Sequence, residues 1–170
     1  MLREVLQRDP QNPSYQMRYY GGSNAVARQY RLAGDPKTAL PFIREGMNHM
    51  RRASELDPDD AAIRGHLAFA LGDLAQLEAE VGNRREAEAA AWEAIPLANG
   101  LLAKDANLWR ANWGLATAYR ALGDAGVGDR CAHYAKALFH ARKADSFRMN
   151  PAISDLIDKV ERNRRGCSAP

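Results

Sequence analysis

Apolar residues recur at steps of three and four along most of the chain. Between residues 61 and 81 they fall at Ile63, Leu67, Leu71, Leu74, Leu77 and Val81. That spacing lines one face of an α-helix. Gly82-Asn83 then supplies a residue able to take the left-handed conformation that closes a helix. A second run follows, with Ala87, Ala91, Ala94, Ile95, Ala98 and Leu102 on one face. The same scheme precedes it. A helix is predicted from about Pro13 to Ala33, stopping at Gly34 and restarting with Asp35 as N-cap and Pro36 at the first helical position. Pro41 lies near a helix start and is tolerable there. Pro96 lies mid-pattern and predicts a kink, or a break near Asn99-Gly100.

The two schemes are copies of one unit. Asp9-Pro10 recurs as Asp57-Pro58, 48 residues on, and the next step lands on Asp105-Ala106. At the same offset Tyr15 maps to Ile63, Tyr19 to Leu67, Gly34-Asp35 to Gly82-Asn83, Ala39 to Ala87 and Met47 to Ile95. The third unit departs from this register. Its glycine, Gly123, lies 41 residues after Gly82, which predicts a first helix shorter by about two turns and a longer turn over 124–128. Its second helix carries Tyr134, Ala137, Leu138 and Ala141, matching Ile43, Gly46, Met47 and Met50. Asn150 then caps a last helix that starts at Pro151. Ile153, Leu156, Ile157 and Val160 form its apolar stripe, and Asp155, Asp158 and Glu161 its polar back. One stripe suits a terminal capping helix. Met1 to Arg8 aligns with His49 to Leu56, so the chain is expected to begin inside a repeat of a longer array. The expected division is a single array over 1–165. It comprises the end of a preceding repeat (1–9), three repeats (10–56, 57–104 and 105–149) and a capping helix (150–165). A disordered tail (166–170) follows.

The third unit reads Trp109-x3-Trp113-Gly-Leu-Ala-x-Ala-Tyr119-x2-Leu-Gly123-Asp124, followed by Tyr134-x2-Ala137-Leu138. It resembles the two helices of a tetratricopeptide repeat, with Leu115, Ala116, Tyr119 and Gly123 at the family's large, small, large and turn positions. The resemblance runs through nearly the whole chain. The family period is about 34 residues, and two units here span 48. Long-helix arrays of this kind resemble those appended to bacterial signalling proteins such as eukaryotic-like serine/threonine kinases. The resemblance implies an all-α, right-handed α-solenoid of stacked antiparallel helix pairs whose first helices line a concave recognition face. Carried onto this sequence, the groove positions are Met17, Asn24 and Arg28 in the first unit. In the second they are Gly65, Phe69 and Asp73, with Gln76 a turn further, and in the third Arg110, Trp113, Thr117 and Arg120. Trp113 is either a groove anchor or packing between repeats. Arg110 and Arg120 either meet a partner carboxylate or are solvated.

Composition adds limits. Apolar residues make up 46% and charged residues 26% of the 170, as in soluble globular proteins. Alanine occurs 31 times, favouring helices that approach closely. The net charge of +3 argues against nucleic acid as the partner. No run approaches the roughly 18 apolar residues that span a membrane. The two cysteines, Cys131 and Cys167, form no spaced framework, which predicts a reducing, cytoplasmic setting. No nucleophile elbow or phosphate loop is present. Cys131, His133 and His140 lack the tight ligand pair of a zinc site. No catalytic residue, cofactor or metal is therefore expected. The expected function is a non-catalytic protein–protein interaction module that takes a protein or peptide on the concave face. The alternative is a self-associating regulatory module, a homodimer in its simplest form, of a bacterial serine/threonine kinase or a similar signalling protein.

Overall fold

Most of the predicted helix signals have a physical counterpart in the structure, a computed structural model that describes residues 7, 9–147 and 151–167. The described residues form seven helices: α1 (Pro13–Leu32), α2 (Pro36–Leu56), α3 (Ala61–Glu80), α4 (Arg84–Leu102), α5 (Trp109–Asp124), α6 (Arg130–Phe147) and α7 (Pro151–Arg165). Side-chain caps start four of them. Asn12 accepts from the N–H groups of Ser14 and Tyr15, Asp35 from Thr38, Asp60 from Ala62 and Ile63, and Asp129 from Cys131 and Ala132. Each cap satisfies backbone donors that the first helical turn leaves open.

The stops of α1, α3 and α5 share one geometry, and it corrects the expected third register. Gly34, Gly82 and Gly126 take positive φ (79°, 85° and 65°). The next residue in each case, Asp35, Asn83 or Val127, donates back to Tyr30, Glu78 or Leu122 at 2.9, 2.9 and 3.0 Å. This is the Schellman closure of a helix. The third-unit equivalent of Gly82 is thus Gly126 and not Gly123. α5 has 16 residues against 20 in α1 and α3, so it is shorter by about one turn, not two. Gly123 instead lies inside α5, where a Cβ would come within 2.6 Å of the Tyr134 ring.

Two further expectations change. α4 runs unbroken through Pro96, as α2 does through Pro41. Both prolines are exposed, so the carbonyls they leave unpaired one turn earlier can be met by water. Cys131 and Cys167 are joined in a disulfide, with Cα atoms 5.6 Å apart. The fold brings together the start of α6 and the residues just after α7, 36 positions apart in sequence. Cys167 packs against the core and does not belong to a frayed tail. The expected cap at Asn150, the Met1–Arg8 segment apart from residue 7, and the last three residues lie outside the described residues.

Helices pack within pairs (α1 on α2, α3 on α4, α5 on α6), and α7 packs on α6. Along the array α2 meets α3 and α4 meets α5. The core is continuous and rich in alanine, with Ala68, Ala91, Ala94, Ala116 and Ala137 all fully buried. Leu71, Leu77, Leu115 and Leu122 are its largest aliphatic fillers in the middle pairs. Burying each is worth roughly 1.5–3 kcal/mol.

The contacts between successive pairs differ in kind. α3 and α5 lie backbone to backbone. A Cβ on Gly72 would come within 2.5 Å of the Gly114 carbonyl oxygen, and one on Gly114 within 2.5 Å of the Ala68 oxygen. α1 and α3 have no such contact. Charge joins the first pair to the second. Arg31 makes a two-pronged bond to Glu80 (2.9 and 3.2 Å), Arg44 another to Glu78 (2.8 and 3.0 Å), and Arg51 another to Glu93. Glu78 is almost fully buried and also accepts from Asn83 Nδ2.

Candidate functional site

The repeat register explains why α1 stands away from α3. Residues Ala68 and Gly72 of α3 and Gly114 of α5 make the close contact. Moved back by one 48-residue unit, these positions are Tyr20 and Asn24 of α1 and His66 of α3. Three small residues are replaced by three large ones, and the crossing cannot close. A cleft results. Its outer part, about 370 Å³, is lined by Met17, Arg18, Tyr20, Asn24, His66 and Phe69 among others, together with Trp109 and Arg110. Asn24, Phe69 and Trp109 also line an inner part of about 200 Å³, which Arg28, Arg31, Asp73, Trp113 and Ala152 complete.

An aromatic wall forms one side. Phe69 stacks on Trp113 with centroids 5.8 Å apart and meets Trp109 edge to face at 5.9 Å. Trp113 takes the packing role, one of the two that the sequence left open. It packs between α3 and α5, where its Nε1 donates to Asp73 at 2.9 Å, and it remains part of the cavity lining. Asp73 is buried, and desolvation raises the pKa of its carboxyl despite the facing Arg31 guanidinium and the Trp113 bond. The Tyr20 hydroxyl is held neutral, its pKa well above the usual value, first by burial and then by the charge of Asp73.

A third, more polar hollow of about 180 Å³ continues the face. It adds Gln76, Thr117 and Arg120 to residues of the inner cleft, and α7 contributes Asp155, Leu156 and Lys159. Most cations here are already matched. Arg31 holds Glu80 at 2.9 Å, Arg120 lies 3.1 Å from Asp124, and Lys159 lies 2.7 Å from Asp155. Arg28, exposed on α1, forms no ion pair among the described residues.

Of the eleven residues expected from sequence, all but Gly65 border these three hollows. Met17, Asn24, Phe69 and Arg110 line the outer cleft. Asn24, Arg28, Phe69, Asp73 and Trp113 line the inner part. Gln76, Thr117 and Arg120 line the polar hollow. Their roles divide. The Thr117 hydroxyl donates back to the carbonyls of Trp113 and Gly114 and is buried, so it serves its own helix. Arg110 sits 4.7 Å over the Trp109 ring. Sequence reasoning missed Tyr20, Arg31 and Trp109. Trp109 sits four residues before Trp113 and Arg31 three after Arg28, so helical spacing placed both on the same faces. The α7 contribution had no local signal, because it depends on how the chain folds back.

The histidines near Cys131 do not form a site. His133 and His140 flank Tyr119, stacked at 6.0 and 6.1 Å, and His140 Nδ1 meets Asn112 Oδ1 at 3.0 Å. Among the described residues no group of three metal-ligating side chains comes together. No helix among them is long and apolar enough to cross a membrane. No protein-family model matches the chain, and no curated protein matches it.

Proposed function

We propose that this chain is a non-catalytic binding module, a right-handed solenoid of tetratricopeptide-like helix pairs that takes a peptide or protein segment on its first-helix face. The cleft between α1 and α3 carries this reading. There the repeat register substitutes large residues for small ones at a helix crossing. The result is an aromatic-walled recess on the face formed by α1, α3 and α5. An apolar anchor beside an uncommitted arginine is the chemistry of a binding hot spot. No cofactor is needed for such a role. The capping role of α7 belongs to the same proposal. Its apolar stripe of Ile153, Leu156 and Val160 is buried and its other side is charged.

The disulfide bears on where the module works. A reducing cytoplasm would hold Cys131 and Cys167 as thiols, and an oxidising compartment would hold the bond seen here. The cytoplasmic placement expected from the cysteines loses its basis.

Selection of random displayed peptides against the folded full chain tests the reading. Peptides enriched on the wild type should lose binding on Arg28→Glu and on Phe69→Ala. Both variants should keep the helical circular-dichroism signal. Retention of every enriched peptide by both variants would remove the cleft from the account. Association of the chain with itself, seen as a concentration-dependent sedimentation profile that Phe69→Ala abolishes, would assign the face to a second copy.

A further inference from the structure

Polar atoms of this face are buried without partners. Among the described residues the Tyr20 hydroxyl, Gln76 Oε1 and Arg120 Nε find no hydrogen-bond partner, although Tyr20 and Gln76 are only 4% and 2% exposed. Asp73 accepts from Trp113 Nε1 and forms no ion pair among the described residues. A buried polar group left unpaired costs roughly 1–3 kcal/mol, so its persistence points to an occupant of the adjoining space.

The groups are ordered. The acceptors Asp73 and Gln76 sit three residues apart on α3 and share a face. Arg28 and Asn24 sit across the cavity on α1. The rings of Phe69, Trp109 and Trp113 lie beside them. An occupant that matched this order would present a nitrogen donor to α3, an oxygen acceptor to α1 and an apolar group to the rings.

We propose that the cleft holds one amino-acid unit with an apolar or aromatic side chain. Its nitrogen donates to Asp73 and Gln76, its carbonyl or carboxylate oxygen accepts from Arg28, and its side chain lies against Phe69 and Trp113. The inference rests on the first-helix face being the binding face and names the chemistry recognised there. Other ligand classes fit less well. A phosphate group in the inner part would meet a single cation without an ion pair, Arg28, because Arg31 already faces Glu80, and the Asp73 charge would repel it; in the polar hollow Arg120 and Lys159 already face Asp124 and Asp155. A purely apolar ligand would leave Gln76 Oε1 without a donor and Asp73 with none beyond Trp113. The inner cavity of about 200 Å³ suits one residue, and through Arg28, Asp73 and Trp113 it adjoins the polar hollow that Gln76 lines. The unit can come from a free amino acid or from a residue of a chain.

The test uses the full chain carrying Trp92→Phe. That substitution removes an exposed tryptophan and leaves Trp109 and Trp113, both in the cleft lining, as fluorescence reporters. Four probes are titrated. L-Phenylalanine and N-acetyl-L-phenylalanine amide carry both ends, phenethylamine lacks the acceptor, and 3-phenylpropionate lacks the donor. Saturable binding is expected for at least one two-ended probe, with each one-ended probe weaker by about tenfold or more. Arg28→Met and Asp73→Asn should each weaken the bound probe by a similar factor. Binding of L-phenylalanine alone identifies a free amino acid, and binding of the amide identifies a residue within a chain. The inference is overturned if neither two-ended probe saturates, if a one-ended probe binds equally well, or if Arg28→Met changes nothing. Arg28 is exposed, so that variant decides the matter even where Asp73→Asn fails to fold. Failure of the probes while selected peptides still depend on Arg28 would sink this inference alone. Binding of L-phenylalanine with no peptide selected would sink the peptide reading alone.

Discussion

Gly72 and Gly114 show how much a single methyl group decides in this array. Both lie inside helices, where glycine normally weakens the helix relative to alanine by about 0.5–1 kcal/mol. They are needed because α3 and α5 touch along their backbones. A Cβ on Gly114 would come within 2.8 Å of the Ala68 carbonyl carbon, and neither helix can yield without moving the other. Gly114→Ala should therefore destabilise by roughly 1–3 kcal/mol, read as a lower urea midpoint. Gly65 is the control. A Cβ there meets nothing within 4 Å, so Gly65→Ala should raise the midpoint through helix propensity. Equal effects at the two sites would contradict the close-contact account. At the same scale the site was partly legible in the sequence. Phe69, Trp113 and Arg28 stood out by type and helical spacing. Tyr20 did not, because a tyrosine on an apolar face looks like ordinary core. Only comparison with Ala68, one unit later, shows it as the residue that keeps the helices apart.

At the scale of elements, the repeat offset predicted the helix pairs well because each boundary has a local chemical signal. Asp35 with Pro36, Gly34 and Gly82 all mark ends that the structure realises. The third unit was misread for a physical reason. Gly123 and Gly126 both follow an apolar run, and sequence alone does not tell a glycine needed for positive φ from one needed for space beside Tyr134. The disulfide was illegible because its partners are brought together by tertiary folding, not by spacing. It fastens the C-terminal end of α7, whose stripe of Ile153, Leu156 and Val160 is buried. Closing a loop of this size contributes about 2–4 kcal/mol. Cys131→Ser should lower the melting midpoint under non-reducing conditions. Hydrogen exchange should quicken in α7 more than in α3 or α4. Uniform quickening across all helices would show that α7 is not a separately anchored element.

For the whole molecule, acid should be destabilising. Burial is the first cause of a lowered pKa at His49, His66, His133 and His140, and His140 falls to about 4 from 6.5. The unfolded chain therefore takes up these protons at a higher pH than the folded chain. Stability is fully present above about pH 6.5 and is lost as pH falls towards 4. Asp73, whose folded pKa is raised, acts in the opposite sense. Comparing the wild type with His140→Gln isolates the histidine contribution. The slope of melting midpoint against pH between those limits should be shallower in the variant. An unchanged slope would mean that His140 takes up its proton at the same pH in the folded chain as in the unfolded one.

The central claim is that the recess between α1 and α3 is where a partner segment sits. Position 18, on the exposed rim of α1, and position 92, exposed on α4, stand on different faces. A photoreactive benzophenone amino acid placed at each in turn, irradiated with a peptide selected on the wild-type chain, tests the claim most directly. The account predicts a covalent peptide adduct from position 18 and none from position 92. An adduct from position 92 with none from position 18 would contradict it.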